Sequence, residues 1–273
     1  MRSNNVLGFI FAATLDDKIP ELASSRTTAS VPIGGKYRII DFDLSNMSNS
    51  GISNVGIVAK SNFQSLMDHV GSGSAYDLSK RRSNLSILPP YDGKAFSSFV
   101  ETIYNMHGYI EHCREEYVLI SQGNVITNID YTDVFDFHSK KKADITLIYK
   151  NHAIPQGYDR PITLDVDNDG KVNQIFVKPG VVDKGVFNHA YGSILIKKDL
   201  LMSEIRNAIS VNQLDVRRLI QSSLGKYSIY AYENKGYCAA ISSINDYFEF
   251  NMDLMKKEVR DELFNPQRPI YTK

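Results

Sequence analysis

The sequence predicts an α/β fold in which a mixed, mostly parallel central sheet is flanked by helices. Short apolar runs of strand length alternate with segments of helical period, which is typical of parallel strands joined by helices. A turn signature late in the chain indicates that some strands pair antiparallel, so the sheet is expected to be mixed. The chain has 273 residues, of which 42% are hydrophobic, and this suffices for one sizeable core.

Seven apolar runs are predicted as strands because each is short and is bounded by polar or turn-forming residues. They cover residues 6–12, 55–60, 117–121, 145–149, 172–178, 192–196 and 227–232.

The first two strands are predicted to form a βαβ unit with one helix between them. A Gly34-Gly35 turn leads into "YRIIDFDLSNMSNSG", where apolar residues recur at helical spacing and Gly51 is suited to the C-terminal cap. Further along, "DVDNDGKV" at residues 165–172 carries the Asn-Asp-Gly signature of a hairpin turn. This hairpin is the reason for expecting a mixed sheet.

Charge and targeting signals narrow the class of partner. The 31 basic residues balance the 31 acidic ones, so no global field favours nucleic acid or an anionic membrane, and we expect small-molecule or protein partners. The apolar run at the N-terminus is too short to span a membrane and lacks a signal-peptide pattern. Cys113 and Cys238 form no C-x-x-C pair. These features predict a cytoplasmic protein.

Four stretches carry a family resemblance: "VPIGGKYRIIDFDLSNMSNSGISNVGIV" (31–58), "ILPP" (87–90), "EEYVLISQGN" (115–124) and "YFEFNMDLM" (247–255). In this order they resemble the ADP-glucose pyrophosphorylases, the glucose-1-phosphate adenylyltransferases of bacterial glycogen synthesis. The resemblance implies a Rossmann-like nucleotidyltransferase domain over residues 1–262. It also implies that residues 263–273 are a linker toward a left-handed β-helix domain absent from this chain.

The nucleotide loop departs from the family pattern. The resemblance implies a loop of the form L-A-G-G-x-G-T-R-L, whose glycines let backbone N–H groups approach the triphosphate. Its glycine positions fall on Ala13, Thr14 and Asp16, and its arginine falls on Lys18. The lysine of the family's R-A-K-P motif falls on Thr28. A carboxylate at Asp16 would repel polyphosphate, so we expect a degenerate loop without catalytic residues.

The metal-binding positions depart in the same way. The family holds Mg²⁺ with two aspartates, one from a G-D motif and one from W-R-D-V-G-T. The first position is Asn124 and the second, within "CAAISS" (238–243), is Ala240. An amide supplies one neutral oxygen and alanine supplies none. We expect no metal and no cofactor, with Mg²⁺ relevant only if residual activity exists.

Substrate and effector positions are partly retained. The family's G-T-A-D-A motif aligns with "SFVET" (98–102), and of its E-K-P motif, which addresses the sugar phosphate, Lys178 remains while Val177 replaces the glutamate. Lys36 and Arg38 match positions near a sugar-phosphate effector site. With Arg81 and Arg82 they are candidates for an anion pocket, and the alternative is a solvated basic face.

Three functions follow from this resemblance. The favoured hypothesis is a catalytically degenerate regulatory subunit that forms a hetero-oligomer with a catalytic ADP-glucose pyrophosphorylase and alters its activity or effector response. The second is a weakly active adenylyltransferase in which Asp43, Asp130 or Asp133 replaces the missing metal ligands. The third is a sugar-phosphate sensor without a synthase partner.

Overall fold

A computed structural model of the chain describes residues 5–12, 16, 18–59, 62–79, 84–89, 98–153, 161–177 and 185–273. The chain divides into two compact units, each built from three separate stretches of sequence. The first unit comprises Met1–Val6, Tyr91–Leu119 and Asp133–Lys235. The second unit comprises Leu7–Pro90, Ile120–Thr132 and Gly236–Lys273.

The strands of the described residues are β1 (Val6–Phe11), β2 (Pro32–Ile33), β3 (Tyr37–Arg38), β4 (Asn54–Val58), β5 (Asn84–Leu88), β6 (Tyr117–Ser121), β7 (Val125–Thr127), β8 (Ile145–Ala153), β9 (Ile162–Val166), β10 (Val172–Val177), β11 (Val186–Lys197), β12 (Ile229–Glu233) and β13 (Cys238–Ala240).

The α-helices of the described residues are α1 (Pro20–Ala23), α2 (Ile39–Asn49), α3 (Gln64–Val70), α4 (Phe99–Asn105), α5 (His107–His112), α6 (Tyr131–Lys141), α7 (Lys198–Ser210), α8 (Val216–Ser222), α9 (Ile244–Asp253) and α10 (Lys257–Leu263). No helix in this part of the chain is long and apolar enough to cross a membrane.

In the second unit, β1 pairs in parallel with β4, and β4 pairs in parallel with β5. The predicted βαβ opening is confirmed, because α2 connects the β2–β3 ribbon to β4 and ends just before Gly51, whose φ is +76°. Strands β7 and β13 form a separate antiparallel ladder. A buried apolar cluster packs the helices against the β2–β3 and β7–β13 ladders and includes Ile19, Phe42, Phe250 and Ile270.

In the first unit, β8 pairs antiparallel with β11 and in parallel with β12. The predicted hairpin is confirmed, because β9 and β10 pair antiparallel around a turn in which Gly170 adopts a φ of +86°. Strand β11 is longer than the predicted 192–196, since it begins at Val186. The polar residues Asn188 and His189 hid its first half from a search for apolar runs, yet both pair with β8.

The last eleven residues are attached to the second unit by side-chain hydrogen bonds. The Asn128 amide donates to the carbonyls of Leu263 and Arg268, at 2.9 Å each. The backbone N–H of Tyr271 donates to Ser45 Oγ at 2.8 Å, and Ile270 is buried. A following β-helix domain stays a prediction.

Candidate functional site

The candidate site lies in the second unit, where the Gly-Gly turn positions the first turn of α2. Gly34 and Gly35 adopt φ values of +55° and +84°, a region that favours glycine, and this lets β2 and β3 fold back on each other. The buried Asp41 fixes the helix start, because its Oδ2 accepts the backbone N–H of Arg38 at 2.9 Å. Its Oδ1 accepts from His69 Nε2 and from the Tyr76 hydroxyl, at 2.6 Å each.

The position of Asp16 explains how its carboxylate is accommodated. Asp16 Oδ1 accepts hydrogen bonds from both the backbone N–H and the hydroxyl of Thr28, at 2.7 Å each. The family resemblance assigns Asp16 to a glycine position of the loop and Thr28 to a lysine position, and in this structure these two residues bind each other. Lys18 is exposed, whereas Ala13 and Thr14 lie outside the described residues.

The structure brings the two candidate metal positions together. Strands β7 and β13 pair so that Ala240 lies opposite Val125, next to Asn124. The backbone N–H of Ile241 donates to the Asn124 carbonyl at 2.9 Å, and the Asn124 side-chain amide donates to the Ile241 carbonyl at 3.2 Å. Asn124 Oδ1 is buried, and in the described part of the chain no group donates a hydrogen bond to it.

These residues do not fit a Mg²⁺ site. Their side chains offer one neutral amide oxygen and no carboxylate, whereas Mg²⁺ in proteins is bound through carboxylates and substrate phosphates. Within the described residues, no group of three or more His, Cys, Asp or Glu side chains could hold a metal ion. The expected absence of a metal and of a cofactor stays a prediction.

The three acids considered as replacement ligands lie in different surroundings. Asp43 is buried and accepts from Ser121 Oγ at 2.6 Å. Asp130 forms an ion pair with Arg268 and accepts the backbone N–H of Thr132 at 2.8 Å. Partial burial raises the pKa of Asp130, but the bonds from Thr132 and Arg268 outweigh it and lower this pKa below its ordinary value. Asp133 is exposed on α6.

The candidate anion-binding residues differ in how they are held. The Arg38 guanidinium is half-buried and donates to the Ser30 carbonyl at 2.9 Å and to Ser65 Oγ at 2.5 Å. Burial, followed by the charge of Arg26, lowers the pKa of Arg38. Lys36 is exposed, and its Nζ lies 4.9 Å from the centre of the Tyr37 ring. Lys178, Arg81 and Arg82 lie outside the described residues, so the effector pocket stays a prediction.

Arg38 is half-buried and hydrogen-bonded, whereas Lys36 is exposed, so alanine substitutions at the two positions should change the stability by different amounts. Arg38→Ala removes a charged donor from the Ser30 carbonyl and Ser65, and hydrogen bonds to charged groups contribute about 1.5 to 3 kcal/mol. We expect Arg38→Ala to lower the free energy of unfolding by about that amount, and the exposed Lys36→Ala to change it by less than about 0.5 kcal/mol. Chemical denaturation followed by circular dichroism measures both. A loss of less than about 0.5 kcal/mol for Arg38→Ala would show that Arg38 has no structural role.

One cluster in the first unit was not found from the sequence. His152 Nε2 lies 2.5 Å from the Tyr191 hydroxyl and 3.3 Å from His189 Nδ1. Burial lowers the pKa of His189 to about 3. The register of β8 against β11 places these side chains together, and the chain carries no spacing signal for it.

The chain is similar to known proteins in family, in sequence and in structure. The family described as Nucleotidyl transferase matches residues 17–256. The glucose-1-phosphate adenylyltransferase of Clostridium acetobutylicum is 30% identical over 282 aligned residues, which cover all of this chain and 73% of that protein. The glycogen biosynthesis protein GlgD of Bacillus subtilis is 27% identical over 277 residues, which cover all of this chain and 70% of that protein.

A solved structure from Bacillus anthracis, described as a glucose-1-phosphate thymidylyltransferase in complex with a sucrose, matches with a TM-score of 0.74. The match covers 96% of this chain and 98% of that chain at 13% sequence identity, so it bears on the fold alone. The predicted Rossmann-like α/β class, with a mixed, mostly parallel central sheet flanked by helices, is confirmed.

Proposed function

Because this chain belongs to the nucleotidyl transferase family, we propose that it is a catalytically degenerate regulatory subunit of glucose-1-phosphate adenylyltransferase. Its catalytic partner would join ATP and glucose 1-phosphate to give ADP-glucose and pyrophosphate in glycogen synthesis. The observation that carries the proposal is the pair Asn124 and Ala240, which lie side by side where the family resemblance expects two aspartates.

Loss of both carboxylates removes the negative charge that would hold a dication beside the reacting phosphates. Nucleotidyl transfer develops charge on those phosphates, and a bound Mg²⁺ would neutralise it. The Asn124 amide nitrogen donates to the Ile241 carbonyl, so its side-chain oxygen is the atom left to bind a cation. A single neutral oxygen is a weak site for a hard dication.

The contact between Asp16 and Thr28 supports the same conclusion for the triphosphate. The Thr28 backbone N–H and hydroxyl are hydrogen-bonded to Asp16 and would have to leave it to meet a phosphate. The Asp16 carboxylate would also face the phosphates with a like charge. Both replaced positions therefore oppose nucleotide binding in the catalytic pose.

An exposed apolar stripe on α9 supports contact with another protein surface. Ile244, Phe248 and Met252 recur at helical spacing and are 42%, 63% and 52% exposed, and Met255 just beyond the helix is 74% exposed. Contiguous exposed apolar side chains are typical of surfaces covered by another chain or domain. The stripe is consistent with a protein that works in an assembly.

Co-expression with the catalytic adenylyltransferase of the same cell tests the proposal. We expect the two chains to co-purify, and the rate of ADP-glucose synthesis or its effector response to change when this chain is present. The control is a partner inactivated at its own metal-binding aspartate, and its mixture with this chain should give no product. Failure to co-purify, or product formed by the control mixture, would contradict the regulatory role.

A further inference from the structure

A carboxyl group lies in the dry interior of the second unit. Asp43, on α2, is 3% exposed, and its Oδ1 accepts from Ser121 Oγ at 2.6 Å at the end of β6. Its Oδ2 is buried and has no hydrogen-bond partner among the residues that the structure describes. An ionised carboxylate would need bonds or a cation at both oxygens to offset its lost hydration. A protonated carboxylic acid needs far less compensation, because it carries no charge.

The groups around Asp43 do not supply that compensation. The phenol of Tyr131, at the start of α6, is buried near Ser121, and burial raises its pKa well above the ordinary value. The charge of Cys238, on β13, raises the pKa of Tyr131, and the charge of Arg268 lowers it. Arg268 already forms an ion pair with Asp130. Within the described residues, Asp43 thus has hydroxyl neighbours and no ion-pair partner of its own.

We infer that the folded second unit carries Asp43 as a protonated carboxylic acid, and that its ionisation is a pH-dependent switch that weakens the contact between α2 and the end of β6. A negative charge created there must be hydrated, and water reaches it only if the two elements separate. The inference stands independently of the proposed regulatory role.

Burial raises the pKa of Asp43 from 3.8 to about 7, and the bond from Ser121 opposes this rise only in part. A raised carboxyl pKa means that the folded state holds a proton that the unfolded chain has released. Stability is therefore greatest below pH 3.8 as far as this group is concerned, and it falls as the pH rises toward about 7. Above that value the folded state is ionised as well, and the contribution of this group becomes constant.

The location connects this switch to the candidate site. Asp43 lies on the helix that begins after Arg38, and Ser121 precedes Gly123 and Asn124 on the chain. Separation of α2 from the end of β6 would move the segment that carries Asn124. The pH near neutrality would thus alter the same part of the unit that the family uses for the metal.

The test compares the pH dependence of stability for the full chain and for Asp43→Asn, which places a neutral group of the same shape in the core. For the unaltered chain, the equilibrium constant of unfolding should rise about tenfold per pH unit between about pH 5 and 6.5, after subtraction of the profile of Asp43→Asn. The matched control is Asp133→Asn, an exposed acid on α6, which should keep the steep profile. An unaltered slope in Asp43→Asn would overturn the inference.

Two measurements on the folded protein remain decisive if Asp43→Asn fails to fold. The infrared band of a protonated carboxylic acid should be present in the unaltered chain at about pH 5.5 and lost by about pH 8.5, as the linkage predicts. Amide hydrogen exchange, corrected for its intrinsic pH dependence, should accelerate in α2 and at the end of β6 over the same range. Absence of the protonated band at the lower pH would overturn the inference.

Discussion

Purified protein supplied with Mg²⁺, ATP and glucose 1-phosphate should release no pyrophosphate above background. Asn124 and Ala240 provide no carboxylate for the metal, and the backbone N–H and hydroxyl of Thr28 are bonded to Asp16. Losing even two electrostatic contributions of about 10² to 10³ each lowers the rate by roughly 10⁴-fold or more. A coupled pyrophosphate assay measures this. Turnover of about 1 to 10³ s⁻¹, the range of ordinary enzymes, would contradict the proposal.

Variants that restore the family residues separately test the metal-binding positions and the nucleotide loop. Asn124→Asp with Ala240→Asp should rebuild a divalent-ion site, detectable by titration calorimetry, without restoring synthesis of ADP-glucose. Adding the family's glycine-rich loop over residues 12–19, together with Thr28→Lys, removes the Asp16 contact and supplies donors and charge for the triphosphate. We expect activity only when both parts return. Vigorous synthesis by the two aspartates alone would show that Asp16 does not exclude the phosphates.

The parts of the fold that the sequence predicts well are those with a local, periodic signal. Strand β6 and helix α2 could be placed because an apolar run or a helical stripe defines each one. The first half of β11 could not, since its polar residues are stabilised by pairing with β8, a partner distant in sequence. Tertiary pairing overrides local pattern at such positions.

The candidate site also has features that the sequence predicts and features that depend on tertiary contacts. The family resemblance identified Asn124 and Ala240 as a pair, and the β7–β13 ladder does place them together. The bond between Asp16 and Thr28 spans twelve residues of chain and has no sequence signal. The sequence offered Asp43 only as a possible metal ligand, because its burial beside Ser121 depends on how β6 packs against α2.

One glycine of the motif that the family resemblance assigns to the metal site has a structural reason to be present. Gly123 adopts a φ of +62°, and a Cβ added there would lie 2.5 Å from the Phe11 carbonyl oxygen and 3.2 Å from Ala12 Cα. Both neighbours are backbone atoms, so neither can move aside as a flexible side chain would. The presence of glycine before Asn124 is thus explained by packing against β1 and carries no implication of catalysis.

Gly123→Ala should therefore be one of the most destabilising single substitutions in the second unit. A left-handed backbone costs alanine about 1 to 2 kcal/mol, and overpacking against fixed atoms adds about 1 to 3 kcal/mol, so we expect a loss of roughly 2 to 5 kcal/mol. The matched control is Gly108→Ala on α5, where a Cβ meets nothing within 4 Å and helix propensity predicts a gain of about 0.5 to 1 kcal/mol. Urea denaturation followed by circular dichroism measures both. If Gly123→Ala were as stable as the unaltered chain, packing would not explain this glycine, and its retention beside Asn124 would point back to a role in ligand binding.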